Sequence, residues 1–415
     1  MHTKWWKQLY KFGGLVFTLG LLGGGVLYAY APHPPKTPAS VKDITALERF
    51  LTQLVAAGET PGLSIVVVKE GKIVYNRAFG LADGPKARAA TPETIYHWWS
   101  MTKIVTAIAV LQLNEQGRLQ LDDPVTQYLP EFAVQAPAGS QPITIRHLLN
   151  HSSGLADPVP AMLGWVHYQD ELVDQTALLK RYLPEYQQLQ FAPGSKASYS
   201  NLGYMVLGAV IEAVSGQPYA DYVTEQILRP LGMTQTGFLY TPALQAHAAS
   251  GSQPLVHLYT PLLPFLLDTG ALIRERSGGT LWMNRVYIDA LPSSGLLGSA
   301  VDVARLMLAY LNEGELDGVR ILTPQSVALM TSDSQVLGEG PNMAAYKNGR
   351  HGLGWYVIPE GQRRRLQHHG GGAGFATTLR LYPEEKLGIA ILANSTDLDR
   401  DGIADRLSQI DWTAR

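Results

Sequence analysis

The order of strand-like and helix-like stretches along this chain is the feature that most restricts its fold. Residues 63–80 read as two strands around a Glu70–Gly71 turn, and strand patterns return at 352–358, 364–369, 374–383 and 386–395. Helical spacing dominates from Ser100 to about Pro230, and a final helix is predicted over 395–410. This order predicts an α+β fold: an antiparallel sheet built from both ends of the chain and flanked by helices, with an inserted helical subdomain.

The first 31 residues combine a basic start with a long apolar segment. Residues 12–31 carry no charged side chain, and Lys4, Lys7 and Lys11 precede them without an acid. A segment of this length can span a bilayer, whereas the apolar region of a signal peptide has about 7–15 residues. We expect one transmembrane helix in the cytoplasmic (inner) membrane, with a cytoplasmic stub before it. A cleaved signal peptide is the alternative, since residues 29–31 read Ala-Tyr-Ala.

A proline-rich linker over 32–42 and one globular domain over 43–415 are predicted to follow, outside the cytoplasm. Charged residues make up 16% of the chain and the net charge is -2, so neither sign dominates and no nucleic-acid partner is expected. The chain has no cysteine, which excludes disulfides, thiolate catalysis and cysteine metal sites.

Ser100 and Lys103 are spaced S-x-x-K at the start of an apolar helical run. Roughly one such match arises by chance in a chain of this size, so the pair alone decides nothing. The run is apolar nearly all round, which predicts a buried helix with both side chains on one face. Burial lowers the pKa of a lysine from about 10.4 towards neutrality, where the amine can accept a proton. The alternative is a helix cap at Ser100 with Lys103 reaching solvent.

Tyr199 and Asn201 stand just before a second apolar helical run. A tyrosine near an ammonium can lose its proton below its usual pKa of about 10 and act as a base. An asparagine amide can bind a substrate carbonyl. An N-cap at Ser200 or Asn201, with a packed tyrosine beside it, is the alternative.

A glycine-rich stretch near the C-terminus contains His368, His369, Gly370 and Gly371. It has no G-x-x-x-x-G-K-[ST] match and precedes an alternating strand, so a phosphate-binding loop is not expected. Glycines beside a strand let a ligand or another backbone approach closely. A backbone N–H here could pair with that of Ser100 as an oxyanion hole.

Together and in this order, the three features resemble the serine β-lactamase and penicillin-binding-protein superfamily, whose motifs are S-x-x-K, Y-x-N and K-[TS]-G. Here they read SMTK from Ser100, YSN from Tyr199 and HHG from His368. The segments 143–155 and 292–307 also look like its class C-like branch, which includes esterases and D-amino-acid peptidases. The resemblance covers about residues 44–411.

The resemblance implies an acyl-enzyme mechanism that needs no metal and no cofactor. Ser100 would be the acylated nucleophile, and Lys103 and Tyr199 would share the proton transfers. Asn201 would orient the acyl side chain, and His368, His369, Gly370 and Gly371 would also bind the substrate. The backbone N–H groups of Ser100 and Gly371 would form the oxyanion hole.

His368 departs from the lysine of the β-lactamase pattern. Lysine is a permanent cation that faces the β-lactam carboxylate, whereas histidine is mostly neutral at pH 7. With a histidine at this position, the motif is similar to that of the esterase and D-amino-acid peptidase or amidase members. We therefore predict a serine hydrolase for an ester or peptide/amide bond in a small-molecule, peptide or acyl ester substrate. The alternatives are a β-lactamase or DD-carboxypeptidase, and a non-turnover binding or sensor protein that recognises peptidoglycan or penicillin.

Three smaller features have a structural interpretation. The apolar segment 254–273, interrupted by prolines, is predicted to cover the core as a loop, and an apolar flap over the site is the alternative. His147 and His151 lie four residues apart without a third ligand, so structural hydrogen bonding is favoured over metal binding. Trp98 and Trp99 are expected to serve packing.

Overall fold

The computed structural model describes residues 37–413 except 39, 42, 59, 158–164, 256–259, 261–267, 333–337 and 340–348. The predicted anchor at 12–31 and most of the apolar segment 254–273 lie outside the described residues. Among the helices that are described, none has both the length and the apolar character needed to cross a membrane.

One eight-stranded antiparallel sheet organises the fold, as the sequence predicts. The strands are β1 (Gly62–Lys69), β2 (Lys72–Asp83), β3 (Arg88–Ala89), β4 (Arg350–His351), β5 (Tyr356–Glu360), β6 (Arg363–Gly372), β7 (Phe375–Tyr382) and β8 (Leu387–Ala393). Their order in the sheet is β4-β5-β6-β7-β8-β1-β2-β3, so strands from the two ends of the chain meet where β1 pairs with β8.

Helices cover both faces of this sheet. The helices are α1 (Ile44–Ala56), α2 (Thr102–Glu115), α3 (Ile145–Leu149), α4 (Gln175–Tyr182), α5 (Asn201–Ser215), α6 (Tyr219–Val223), α7 (Pro242–His247), α8 (Thr269–Leu272), α9 (Leu291–Ser294), α10 (Ala300–Leu311), α11 (Pro324–Ser332) and α12 (Arg400–Leu407). Helices α2 to α11 belong to the stretch inserted between β3 and β4, and α2 packs against α5 and α9.

Short strands complete the described part. They form three-stranded sheets (Tyr96–His97, Leu297–Gly298 and Thr236–Gly237; Ser252–Pro254, Thr280–Met283 and Ile273–Ser277) and pairs (Tyr287–Ile288 with Val166–His167; Glu315–Leu316 with Val319–Arg320; Gly338–Glu339 with Ala197–Ser198).

The apolar run of β1 is explained by burial on both faces of the sheet. Leu63, Ile65 and Val67 pack in a cluster with α1 and α12. Val66 and Val68 join the larger core on the side of the inserted helices. Because successive side chains of a strand point to opposite faces, a strand covered on both sides is apolar throughout. The β1–β2 hairpin turns at Glu70 and Gly71, whose φ values of 49° and 79° suit a two-residue turn.

Helix α2 is buried from Thr102 to Leu113, as its apolar pattern predicts, but it begins later than expected. Ser100 lies in a single 3-10 turn, Trp99–Met101, that leads into the helix. Trp99 has a φ of 50°, a left-handed conformation that an α-helix cannot contain. The predicted helix start at Ser100 is therefore corrected to Thr102, after this turn.

The C-terminal helix is shorter than the predicted 395–410. Helix α12 begins at Arg400, because the Asp399 carboxylate accepts a hydrogen bond from the Gly402 N–H at 2.9 Å and caps the first turn. The preceding residues form a turn instead, in which the Ser395 hydroxyl donates to the carbonyl of Asp397 at 3.2 Å.

Candidate active site

The three sequence motifs meet where β6 faces the starts of α2 and α5. Ser100 stands before α2, Tyr199 and Asn201 stand at the start of α5, and His368 lies on β6. The rings of Tyr199 and His368 are 6.4 Å apart. Motifs separated by about a hundred residues and more in sequence therefore line one site.

The hydroxyl of Ser100 lies between two polar side chains. Tyr199 Oη donates to Ser100 Oγ at 2.8 Å, and Lys103 Nζ lies 3.3 Å from the same oxygen. Ser100 is half-buried, whereas Lys103 has no exposed surface. The alternative in which Lys103 reaches solvent is therefore wrong.

The contacts of Lys103 orient its amine. Nζ donates to Asn201 Oδ1 at 2.7 Å and to the Ser293 carbonyl at 2.8 Å, and both oxygens can only accept. A neutral amine has two N–H bonds and one lone pair. When both N–H bonds are used in this way, the lone pair is left for Ser100, where it can accept a proton.

Burial lowers the pKa of Lys103 to about 7, and the negative charge of Asp157 partly opposes this shift. The sequence-based expectation of a pKa near neutrality is confirmed. A lysine with this pKa holds a useful fraction of neutral amine at physiological pH.

Asp157 is a site residue that the sequence analysis missed. Its Oδ1 accepts hydrogen bonds from the backbone N–H and the side-chain Nδ2 of Asn201, both at 3.1 Å. Because a carboxylate only accepts, this contact turns Asn201 Oδ1 towards Lys103. Burial raises the pKa of the Asp157 carboxyl, while the Asn201 hydrogen bonds and the charge of Lys103 oppose the rise. The sequence signal was a lone acid two residues after Leu155, with nothing to place it beside Asn201.

The expected ionisation of Tyr199 is not supported. Desolvation raises the pKa of its phenol well above the usual value of 10, and the hydrogen bond to Ser100 only partly opposes this. The Lys103 ammonium lies 4.8 Å from the centre of the Tyr199 ring, but over the face of the ring. Tyr199 is therefore a protonated donor to Ser100, and of the two side chains Lys103 has the lower pKa.

His368 is buried and uncharged. Desolvation lowers the pKa of its imidazole well below 6.5, and the charge of Lys103 adds to this shift. Nδ1 donates to the carbonyl of His369 at 2.7 Å, and the ring stacks on Tyr356 at 5.0 Å. Its Nε2 has no hydrogen-bond partner among the described residues and remains an acceptor. The neutral histidine that the sequence predicts is confirmed.

The side chain of His369 does not join the site, which corrects its predicted contact with substrate. Its Nε2 lies 3.3 Å from Asp401 of α12, on the other face of the sheet. Neighbouring residues of a strand point to opposite faces, so His368 and His369 cannot both face Ser100. His369 contributes its carbonyl, which holds His368.

Gly370 lets β6 approach the residues before Ser100. A Cβ at this position would lie 2.0 Å from the carbonyl oxygen of Trp98 and 2.4 Å from Thr377 Oγ1. Thr377 Oγ1 donates to the same Trp98 oxygen at 3.0 Å. On the other face, the Arg400 guanidinium donates to the carbonyls of Gly370 and Thr377. This close contact packs β6 against the serine turn, so the N–H of Gly371, the next residue, is a candidate partner for that of Ser100 in an oxyanion hole.

Three other residues that the sequence singled out have structural roles. Trp98 is fully buried in the core, as expected. His147 takes part in the capping box of α3 with Thr144. His151 Nδ1 accepts from the Ser200 N–H at 3.2 Å, and its ring lies 4.5 Å from that of Tyr199. The structural interpretation of both histidines is therefore confirmed.

The sequence profile of the family described as "Beta-lactamase" matches residues 47–411. The chain belongs to this family. The match contains every residue of the site, and it agrees with the resemblance that the three motifs indicate.

Two relatives illustrate the range of the family. "Protein flp" of Staphylococcus aureus (strain N315) is 29% identical, over 84% of this chain and 62% of the relative. This chain thus spans less than two thirds of that protein. The "Putative D-alanyl-D-alanine carboxypeptidase" of Escherichia coli (strain K12) is 32% identical, over 78% of this chain and 74% of the relative.

Two solved structures share the fold. The octameric penicillin-binding protein homologue from Pyrococcus abyssi has a TM-score of 0.71 and 26% identity, over 90% of this chain and 79% of its own. EstCE1, described as a hydrolase with promiscuous acyltransferase activity, has a TM-score of 0.67 and 25% identity, over 88% of this chain and 98% of its own.

Proposed function

We propose that this protein is a serine hydrolase that forms an acyl-enzyme at Ser100 and cleaves an ester or a peptide/amide bond. The orientation of the Lys103 amine carries the proposal. Its N–H bonds are held by Asn201 and Ser293, so its lone pair faces the Ser100 hydroxyl at 3.3 Å. A lysine that served only packing would have no need of this arrangement.

In the proposed reaction, Ser100 Oγ attacks the substrate carbonyl carbon and its proton passes to Lys103. The carbonyl oxygen becomes negative and is bound by the N–H groups of Ser100 and Gly371. When the bond to the leaving group breaks, Tyr199 donates a proton to that group, and the Lys103 ammonium supplies the proton that restores the phenol. Water then attacks the acyl carbon by the reverse proton path, which releases the acid and free Ser100.

The substrate class follows from the uncharged His368. A strand lysine offers an anionic β-lactam a charge-assisted contact, which is worth about 1.5–3 kcal/mol. His368 offers only a neutral ring with an unpaired acceptor nitrogen. This favours substrates without a carboxylate beside the scissile bond, such as acyl esters, or substrates that present an N–H or O–H to the ring. The description of EstCE1 as a hydrolase with acyltransferase activity is compatible with acyl ester cleavage. A carboxypeptidase substrate, as in the name of the E. coli relative, has a carboxylate beside the scissile bond, which the uncharged His368 disfavours.

Turnover of p-nitrophenyl acyl esters is expected to exceed that of nitrocefin, with kcat/KM about ten- to a hundredfold higher because the β-lactam carboxylate lacks its cation. Both are measured by absorbance with the same preparation. Faster hydrolysis of nitrocefin would reverse the assignment in favour of a β-lactamase. A burst of acylation with every substrate and no steady turnover would support a binding or sensor protein instead.

Asp157→Asn is expected to move the acidic limb of the pH profile of kcat/KM to lower pH. The Asp157 carboxylate favours the protonated form of Lys103, so its removal lowers the pKa of the amine further. The amide that replaces the carboxylate keeps an acceptor oxygen for Asn201, which preserves the geometry. Asp122→Asn is the matched control, because Asp122 pairs with Arg146 at the surface at 2.7 Å. A limb that stays in place or moves to higher pH would show that Asp157 does not act on Lys103.

A further inference from the structure

A polar cavity lies beside β3, the edge strand of the main sheet. It has a volume of about 380 Å³ and is formed by β2, β3, α7 and the residues around Met283. None of the described residues that line it belongs to the site at Ser100. Its charged lining residues are Asp83, Lys86, Arg88, Arg274 and Arg285.

Four cations and one carboxylate are among the residues that line this cavity. Asp83 is buried and forms a two-fold contact with Arg274, with distances of 2.6 and 3.0 Å. Lys86 lies 3.8 Å from the same carboxylate. Arg88 and Arg285 form no ion pair with any described residue, so the cavity keeps an excess of positive charge.

Both unpaired arginines are held in position by uncharged groups. Arg88, which is half-buried, donates to the carbonyl of Ala248. The Arg285 guanidinium lies 5.6 Å from the centre of the Tyr240 ring, a cation–π contact. Like charges that are fixed around one space repel each other, and a bound anion removes that repulsion. Guanidinium groups also match the oxygens of a phosphoryl group in geometry.

We propose that this cavity is a binding site for a phosphoryl group. A dianion balances the excess charge better than a single carboxylate does, and its oxygens can accept from Arg88, Arg274 and Arg285 together. The volume exceeds that of phosphate itself, so the group belongs to a larger ligand. This ligand is either a soluble phosphate ester or the head group of an anionic phospholipid.

Isothermal titration of the full-length protein in a nonionic detergent with inorganic phosphate tests the proposal. Wild type is expected to bind phosphate more tightly than acetate. Arg88→Gln/Arg285→Gln is expected to weaken phosphate binding at least tenfold, and Arg285→Gln alone, at an exposed side chain, is expected to weaken it in the same direction. Thermal unfolding shows that each variant is folded. Equal binding by the variants, equal affinity for acetate, or no binding of phosphate by wild type would overturn the proposal.

Arg363→Gln/Arg364→Gln is the matched control. These arginines also lie close together, but Arg363 pairs with Glu360 and Glu385, and Arg364 pairs with Glu384. Phosphate affinity is expected to be unchanged in this variant; a loss equal to that of the test variant would mean that general charge, not the cavity, binds phosphate. Titration with glycerol 1-phosphate and with dihexanoyl-phosphatidylglycerol then distinguishes a soluble ester from a lipid head group.

Discussion

Ser100→Ala is expected to abolish covalent labelling by a fluorophosphonate probe and to lower ester turnover by about 10⁴-fold or more. Ser100 Oγ lies between Lys103, the proposed base, and the donor Tyr199, at 3.3 and 2.8 Å. Alanine removes the atom that attacks and leaves both partners without a group to act on. Labelling is read by in-gel fluorescence and by the mass of the intact protein.

Ser326→Ala is the control for this experiment. Ser326 is also buried, but it lies on α11 and its hydroxyl contacts Thr323. Labelling and turnover are expected to match wild type there. If Ser100→Ala were labelled as fully as wild type, the nucleophile would be elsewhere and the proposed mechanism would fail.

The architecture could be predicted because buried strands and helices have recognisable patterns of apolar residues. Strand β1 is apolar from Ile65 to Val68 because it is covered on both faces, and helix α2 is apolar nearly all round because other helices surround it. The start of α2 could not be predicted in the same way. It depends on the left-handed backbone of Trp99, which the identity of a tryptophan does not signal.

The catalytic candidates could be predicted where the chemistry follows from local spacing. Ser100 and Lys103 are three residues apart, and Tyr199 and Asn201 are two apart. Asp157 acts on Asn201 from 44 positions earlier in the chain, and the sequence offers no spacing rule for such a contact. The pKa of Tyr199 was expected to fall because a nearby cation could be inferred, whereas the larger effect of desolvation depends on packing.

The difference between a local sequence pattern and a contact that depends on packing also applies to the two histidines of β6. A strand pattern fixes that His368 and His369 face opposite sides, but it does not say which of them faces Ser100. Two contacts set this orientation. Gly370, which lacks a Cβ, packs against Trp98, and Asp401 pairs with His369 on the opposite face of the sheet. The electrostatics of the site thus depend on the register of one strand.

Lys103→Met is expected to lower kcat/KM for an acyl ester by about 10²- to 10⁴-fold. Methionine keeps most of the volume in a fully buried position but has no lone pair of comparable basicity for the Ser100 proton. In wild type, only the neutral amine can accept that proton. Activity should therefore fall about tenfold per pH unit below the Lys103 pKa of about 7 and level off above it.

The pH profile separates a catalytic amine from a structural one. In Lys103→Met the residual activity is expected to lose the limb near pH 7, because the group that titrates is gone. Lys180→Met, at an exposed lysine that pairs with Glu131 at 3.0 Å, should keep both the rate and the limb. A Lys103→Met enzyme that is slow but retains the limb would assign the titration to another group, and a variant as fast as wild type would exclude Lys103 as the base.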